Sequence, residues 1–167
     1  NHQARQGFYK HNSMKYTRNN PLNIRYSDKN NWLGQIGERN GFCVFSDDKY
    51  GWRAAFILIK NYHKKGFSSI NKIIHRFAPA SENPTSSYVD FVCKKMKGMG
   101  YESSGMDFKD APLDLSNDMV VVDILMCMSK FETGIVVQSD YIRNKLSEFI
   151  DRFKGDYLIG RSLSEQR

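Results

Sequence analysis

Glu132 is the residue whose type and spacing most directly suggest chemistry. Val121, Ile124, Leu125 and Met128 recur at helical spacing and mark a stripe that faces a core. Continuing that stripe one turn past Met128 lands on Glu132, a carboxylate where an apolar side chain is expected. Glutamate is seldom fully buried without a partner, and removal from water raises its pKa and keeps it protonated nearer neutral pH. A protonated carboxyl can hand its proton to a glycosidic oxygen. Thr133 and Gly134 follow at once, which puts the acid at a helix end with room beside it for a cleft wall. Periodicity also admits two plainer fates: Glu132 emerges into solvent where the helix stops, or it pairs with an Arg or Lys.

The elements around it are legible from their caps and periods. Ser46-Asp47-Asp48 supplies an N-cap and an acidic first turn for a helix to about Lys65, stopped by Gly66. A shorter helix runs from about Ser69, with Ile70, Ile73, Ile74 and Phe77 in period, and ends ahead of Pro79. Thr85 is read as the N-cap of a third helix carrying Tyr88, Val89, Val92 and Met96. Gly98 to Gly105 connect flexibly, and Pro112 to Ser116 lead into the helix that ends at Glu132. A last helix is expected from Ser139 to Phe153. Before all of these, Leu22-Asn23-Ile24-Arg25-Tyr26 and Phe42-Cys43-Val44-Phe45 read as short strands among Asn, Asp and Gly turns, a small β lobe. The expected organisation is an irregular arm over 1–18, one domain over 19–155 and a tail over 156–167.

Composition narrows the function. The 167 residues are 40% hydrophobic and 26% charged, ordinary for one globular core. No apolar run approaches the roughly 20 residues that span a bilayer. The net charge of +7 favours polyanionic partners such as nucleic acid, lipid headgroups or an anionic cell wall, and equally suits a solubilising surface. Cys43, Cys93 and Cys127 are far apart and lack CxxC or Cys/His spacing, so neither a metal site nor a required disulfide is expected. There is no GxSxG, HExxH or GxxxxGK pattern. Cys43 with His63 or His75 would make a nucleophile and base for an amide-cutting peptidase, but Cys43 lies in an apolar strand and reads as core.

Several segments, taken in order, resemble a family of phage-associated and bacterial lysozyme-like cell-wall hydrolases. They are Asn19-Asn20-Pro21-Leu22-Asn23-Ile24-Arg25, Trp32-Leu33-Gly34, Phe42-Cys43-Val44-Phe45, Gly51-Trp52-Arg53-Ala54, the stretch from Ala78 to Tyr88, and Glu132-Thr133-Gly134. The stretch from Asn19 to Ala54 is also similar to the β lobe of flagellar and autolysin-type glucosaminidases. In those enzymes, and in lytic transglycosylases, the acidic E-S-G helix precedes the lobe; here the corresponding Glu132-Thr133-Gly134 follows it, so the element order looks circularly permuted. The resemblance implies an α+β fold, mainly α, with a lysozyme-like helical lobe facing the β lobe across a glycan groove.

It also implies roles. Glu132 would be the general acid that cleaves the β-1,4 bond between N-acetylmuramic acid and N-acetylglucosamine. Thr85-x-x-Tyr88 resembles the E-T-x-x-Y-V element of lytic transglycosylases, with Pro84 in place of its Glu, which makes Tyr88 the candidate that orients Glu132; a core tyrosine is the alternative. Glu38, in the β lobe, is the candidate second carboxylate that a hydrolase needs and a lytic transglycosylase does not, or else an exposed loop acid. Asn20, Asn23, Asn83 and Thr85 are candidates for binding sugar hydroxyl and acetamido groups, although loop asparagines commonly cap turns. No cofactor is implied. The expected partner is the peptidoglycan strand, with room for an inhibitor or immunity protein, and the expected setting is the periplasm, cell envelope, extracellular space or a virion, as a monomer. Two other classes compete: a non-catalytic virion or cell-wall-binding protein of the same fold, and a nucleic-acid binder, for which no helix-turn-helix, zinc or RNP signature is present.

Overall fold

The computed structural model describes residues 18–79 and 84–153. The arm over 1–17, the positions 80–83 with Asn83 among them, and the tail from 154 lie outside the described residues. The chain is α+β, mainly α: one hairpin, β1 (Gln35–Arg39) and β2 (Phe42–Phe45), precedes the helices α1 (Asp48–Lys64), α2 (Ile70–Phe77), α3 (Thr85–Gly98), α4 (Asp118–Thr133) and α5 (Ser139–Leu146). A single 3-10 turn, Phe108–Asp110, sits between α3 and α4.

Local chemistry accounts for most helix ends. The Asp47 carboxylate accepts from the Lys49 N–H at the start of α1, Ser69 does the same from Lys72 for α2, and Asn117 from Met119 for α4. Gly134 closes α4 in the left-handed region at φ 74°, its N–H on the Lys130 carbonyl at 2.8 Å. Thr85 departs from the expected cap. Pro84 holds that position, and the Thr85 hydroxyl instead donates to the Ala78 carbonyl at 2.8 Å, tying α3 back to the end of α2.

The last helix is shorter than its apolar spacing suggests. It stops at Leu146, where the Ser147 hydroxyl donates to the Asn144 carbonyl and the N–H groups of Phe149 and Ile150 both turn back to Leu146. The turn still delivers Phe149 to Tyr50, with ring centroids 5.7 Å apart, and Phe153 to Phe56 at 5.8 Å.

The β lobe is organised differently from the two strands expected. Phe42–Phe45 is a strand, but its partner is Gln35–Arg39, joined through Asn40-Gly41, both at positive φ as a tight hairpin demands. Leu22 to Tyr26 contributes only one bridge, Arg25 to Phe42. Asn23 at φ 50° breaks the extended run. Arg18, placed by its sequence in the arm, is buried with its guanidinium 4.7 Å from the Phe42 ring centroid and on the Arg39 carbonyl at 3.1 Å.

α4 is the centre of the core. Val120, Val121, Val122, Ile124, Leu125, Cys127 and Met128 are all buried, so the helix is covered on nearly every side rather than along one stripe. α1 and α3 pack on it, α2 packs on α3, and α5 closes over α1 and α4. Lys60 of α1 pins the start of α4 by donating to the Leu115 carbonyl and the Asp118 carboxylate, both at 3.0 Å.

Candidate active site

Glu132 is 0% exposed in the last turn of α4. The same all-round burial that makes α4 central carries its final residues, Ser129, Glu132 and Thr133, out of water with it. Asn23 meets them from the β lobe. Its amide donates to the Glu132 carbonyl at 3.0 Å and lies 3.4 Å from Glu132 Oε1, joining residues 109 positions apart. The positive φ of Asn23 aims that amide out of the lobe, a conformation asparagine adopts more readily than most residues.

Asn20 is engaged differently. Its Nδ2 donates to the carbonyls of Ile24 and Cys43 and its Oδ1 accepts from the Ile24 N–H, so the amide knits the loop to β2. Thr85 is buried, with its hydroxyl on Ala78. Tyr88 is buried too, its ring stacked on Phe131 at 4.0 Å between centroids and 20° between planes. That stack brings Tyr88 to the residue just before Glu132, at the same end of α4.

Glu38 stands apart from this group. It is exposed on β1 and accepts from the Gly41 N–H at 2.9 Å. Arg18 is pulled down to about 10, first by burial and then by Arg39, with Glu38 opposing. Among the described residues no hydrogen bond or ion pair joins Glu38 to Glu132.

A cavity of about 140 Å³ opens beside the end of α4. Thr133 and Ser129, rather than Glu132, form its α4 wall; Pro21 and Trp52 form another, and Asp48 and Tyr141 stand at the first turns of α1 and α5. Asp48 accepts from the Tyr141 hydroxyl and from Lys145 Nζ at 3.1 Å. Burial first, then the hydrogen bond to Asp48, pushes the Tyr141 phenol up. In sequence Asp48 reads only as a favourable first-turn acid, and nothing in it signals a partner 93 residues away.

No known family model matches the chain. Over 82 residues it is 37% identical to Protein P5 of Pseudoalteromonas phage PM2, a stretch that is 46% of this chain and 51% of that protein. The chain thus spans about half the length of the curated relative it matches. Among the described residues no helix is long and apolar enough to cross a membrane.

Proposed function

We propose that the protein is a peptidoglycan-cleaving glycosidase, of muramidase or lytic transglycosylase type, with Glu132 as the general acid toward the bond between N-acetylmuramic acid and N-acetylglucosamine. The observation that carries this reading is the placement of Glu132: a carboxyl wholly out of water, at the end of the central helix, gripped by an asparagine from the β lobe. A general acid must be held in a fixed place to hand its proton to a leaving oxygen, and the helix end together with the Asn23 amide holds this one. Tyr88, through its stack on Phe131, is the residue that would steady this helix end. The lysozyme-like arrangement in permuted order, the glycan strand as partner and a setting at the cell envelope or in a virion belong to the same proposal.

The test is digestion of purified peptidoglycan with wild type and Glu132→Gln, followed by mass spectrometry of the soluble products. Release of muropeptides by wild type, reduced about 10²- to 10⁴-fold in the variant, supports the assignment. Equal release by both overturns it. Products with anhydro ends identify a lytic transglycosylase, and reducing ends a hydrolase.

One observation favours a second reading. Glu132 does not form the wall of the adjoining cavity, as a structural carboxyl would not. A virion or cell-wall-binding protein without turnover predicts that wild type and Glu132→Gln sediment equally with peptidoglycan and that neither releases fragments.

A further inference from the structure

We infer that the recess between the ends of α3 and α4 docks an acidic segment of a partner protein, which seats one aromatic side chain in an apolar slot and its neighbouring carboxylates on Lys95 and Lys130. The slot measures about 150 Å³. Met126, Cys127 and Val137, which pack against or into the core, line it together with Met99 and Val136, which are 40% and 65% exposed. An apolar cavity of about 150 Å³ accommodates benzene, so a single phenyl ring matches it. Methionine suits such a surface because its unbranched thioether adapts to the shape it meets. The inference needs neither Glu132 nor glycan cleavage.

Charge narrows the partner. Lys95 from the last turn of α3 and Lys130 from the last turn of α4 both line the slot, and no Asp or Glu lines it. The same holds for the groove that continues along α3 past Phe91 and Lys94. Among the described residues no carboxylate pairs with Lys94, Lys95 or Lys130. Asp123, whose charge reaches Cys127, already accepts from the Tyr101 hydroxyl at 2.5 Å. Lys130 is held by donating to the Gly134 carbonyl at 3.0 Å, which leaves two of its three N–H groups for a ligand. Two ammonium groups flanking an apolar slot complement carboxylates flanking an apolar side chain. An anionic bilayer shares that chemistry, but it takes up apolar side chains that project from a helix face, whereas here they line a recess that a side chain can fill.

The experiment titrates the full chain into a fluorescein-labelled DEFED peptide and reads anisotropy, with methyl NMR to locate the contact. DESED, which lacks the ring, KKFKK, which reverses the charge, and phosphatidylcholine vesicles containing phosphatidylglycerol are run beside it. Wild type should bind DEFED saturably, about tenfold or more tighter than DESED, and should not bind KKFKK. The Val136 and Met126 methyl signals should shift on binding. Lys95→Glu and Val136→Asp, both at exposed positions that leave the core untouched, should each weaken DEFED binding by about tenfold or more. Absence of saturable DEFED binding, equal affinity for DESED, or binding unchanged in both variants overturns the inference. Saturable binding to the vesicles without binding to DEFED also overturns it, in favour of a lipid surface.

Discussion

The Asn23 amide sits 3.0 Å from the main-chain oxygen of Glu132 and 3.4 Å from its carboxyl, so a loop of the β lobe holds the end of the central helix. Both residues are buried, and losing a buried donor costs about 1–3 kcal/mol. Asn23→Gly keeps the positive φ and removes only the amide, whereas Asn23→Ala also strains the backbone. In urea unfolding, Asn23→Gly is expected to lose stability and Asn23→Ala to lose more. A glycine variant as stable as wild type would show that the amide contributes nothing.

Gly51 of α1 packs directly on the Asn19 turn. A Cβ there would lie 2.1 Å from the Asn19 carbonyl oxygen and 2.6 Å from Pro21 Cδ, so backbone would have to move. Gly51→Ala should therefore cost about 1–3 kcal/mol or more. Gly98, at the end of α3, has nothing within 4 Å of such an atom, and Gly98→Ala should instead stabilise by about 0.4–1 kcal/mol. Thermal melts of the two variants should move in opposite directions.

Asp47→Ala removes the cap of α1 and should cost about 1 kcal/mol at neutral pH. The Lys49 N–H is the main cause that holds the Asp47 carboxylate below its ordinary value. Its contribution is accordingly present above the unfolded carboxylate value of about 4 and lost as pH falls through the lower folded value. The gap between wild type and variant in urea midpoints should close on acidification.

Burial pushes the Cys43 thiol up to about 11 and Cys127 to about 12. Neither forms thiolate near pH 8, so Ellman's reagent should label both far more slowly in the native protein than in urea. Because the folded values are raised, their contribution is full below the unfolded thiol value of about 8.5 and declines as pH climbs toward the folded ones. Replacement of Cys43 and Cys127 by Ala should flatten the alkaline loss of stability.

The helices that carry their own caps were readable directly. Asp47, Ser69 and Gly134 mark ends by chemistry that operates within one turn, so the bounds of α1, the start of α2 and the stop of α4 follow from the residues themselves. The helical period placed Glu132 in line with a buried stripe but equally allowed it to emerge into solvent where the helix stops, and packing around the end of α4 decided for burial. Spacing overran at α5, since Ile142, Leu146 and Phe153 are all buried whether the chain between them is helix or turn. In the β lobe, the left-handed Asn23 interrupts a stretch whose composition is that of a strand.

Residue order and type thus carry the helical architecture and an acid at the end of α4, because caps and periods act over a few residues; the burial of α4 on nearly every side goes beyond the one stripe its spacing marked. They do not carry the Asn23 grip on Glu132, the Tyr88 stack on Phe131, the separation of Glu38 from that group, or the pairing of Asp48 with Tyr141. Those depend on how the hairpin and α5 settle against α1 and α4, where partners up to 109 positions apart meet through packing rather than any local preference.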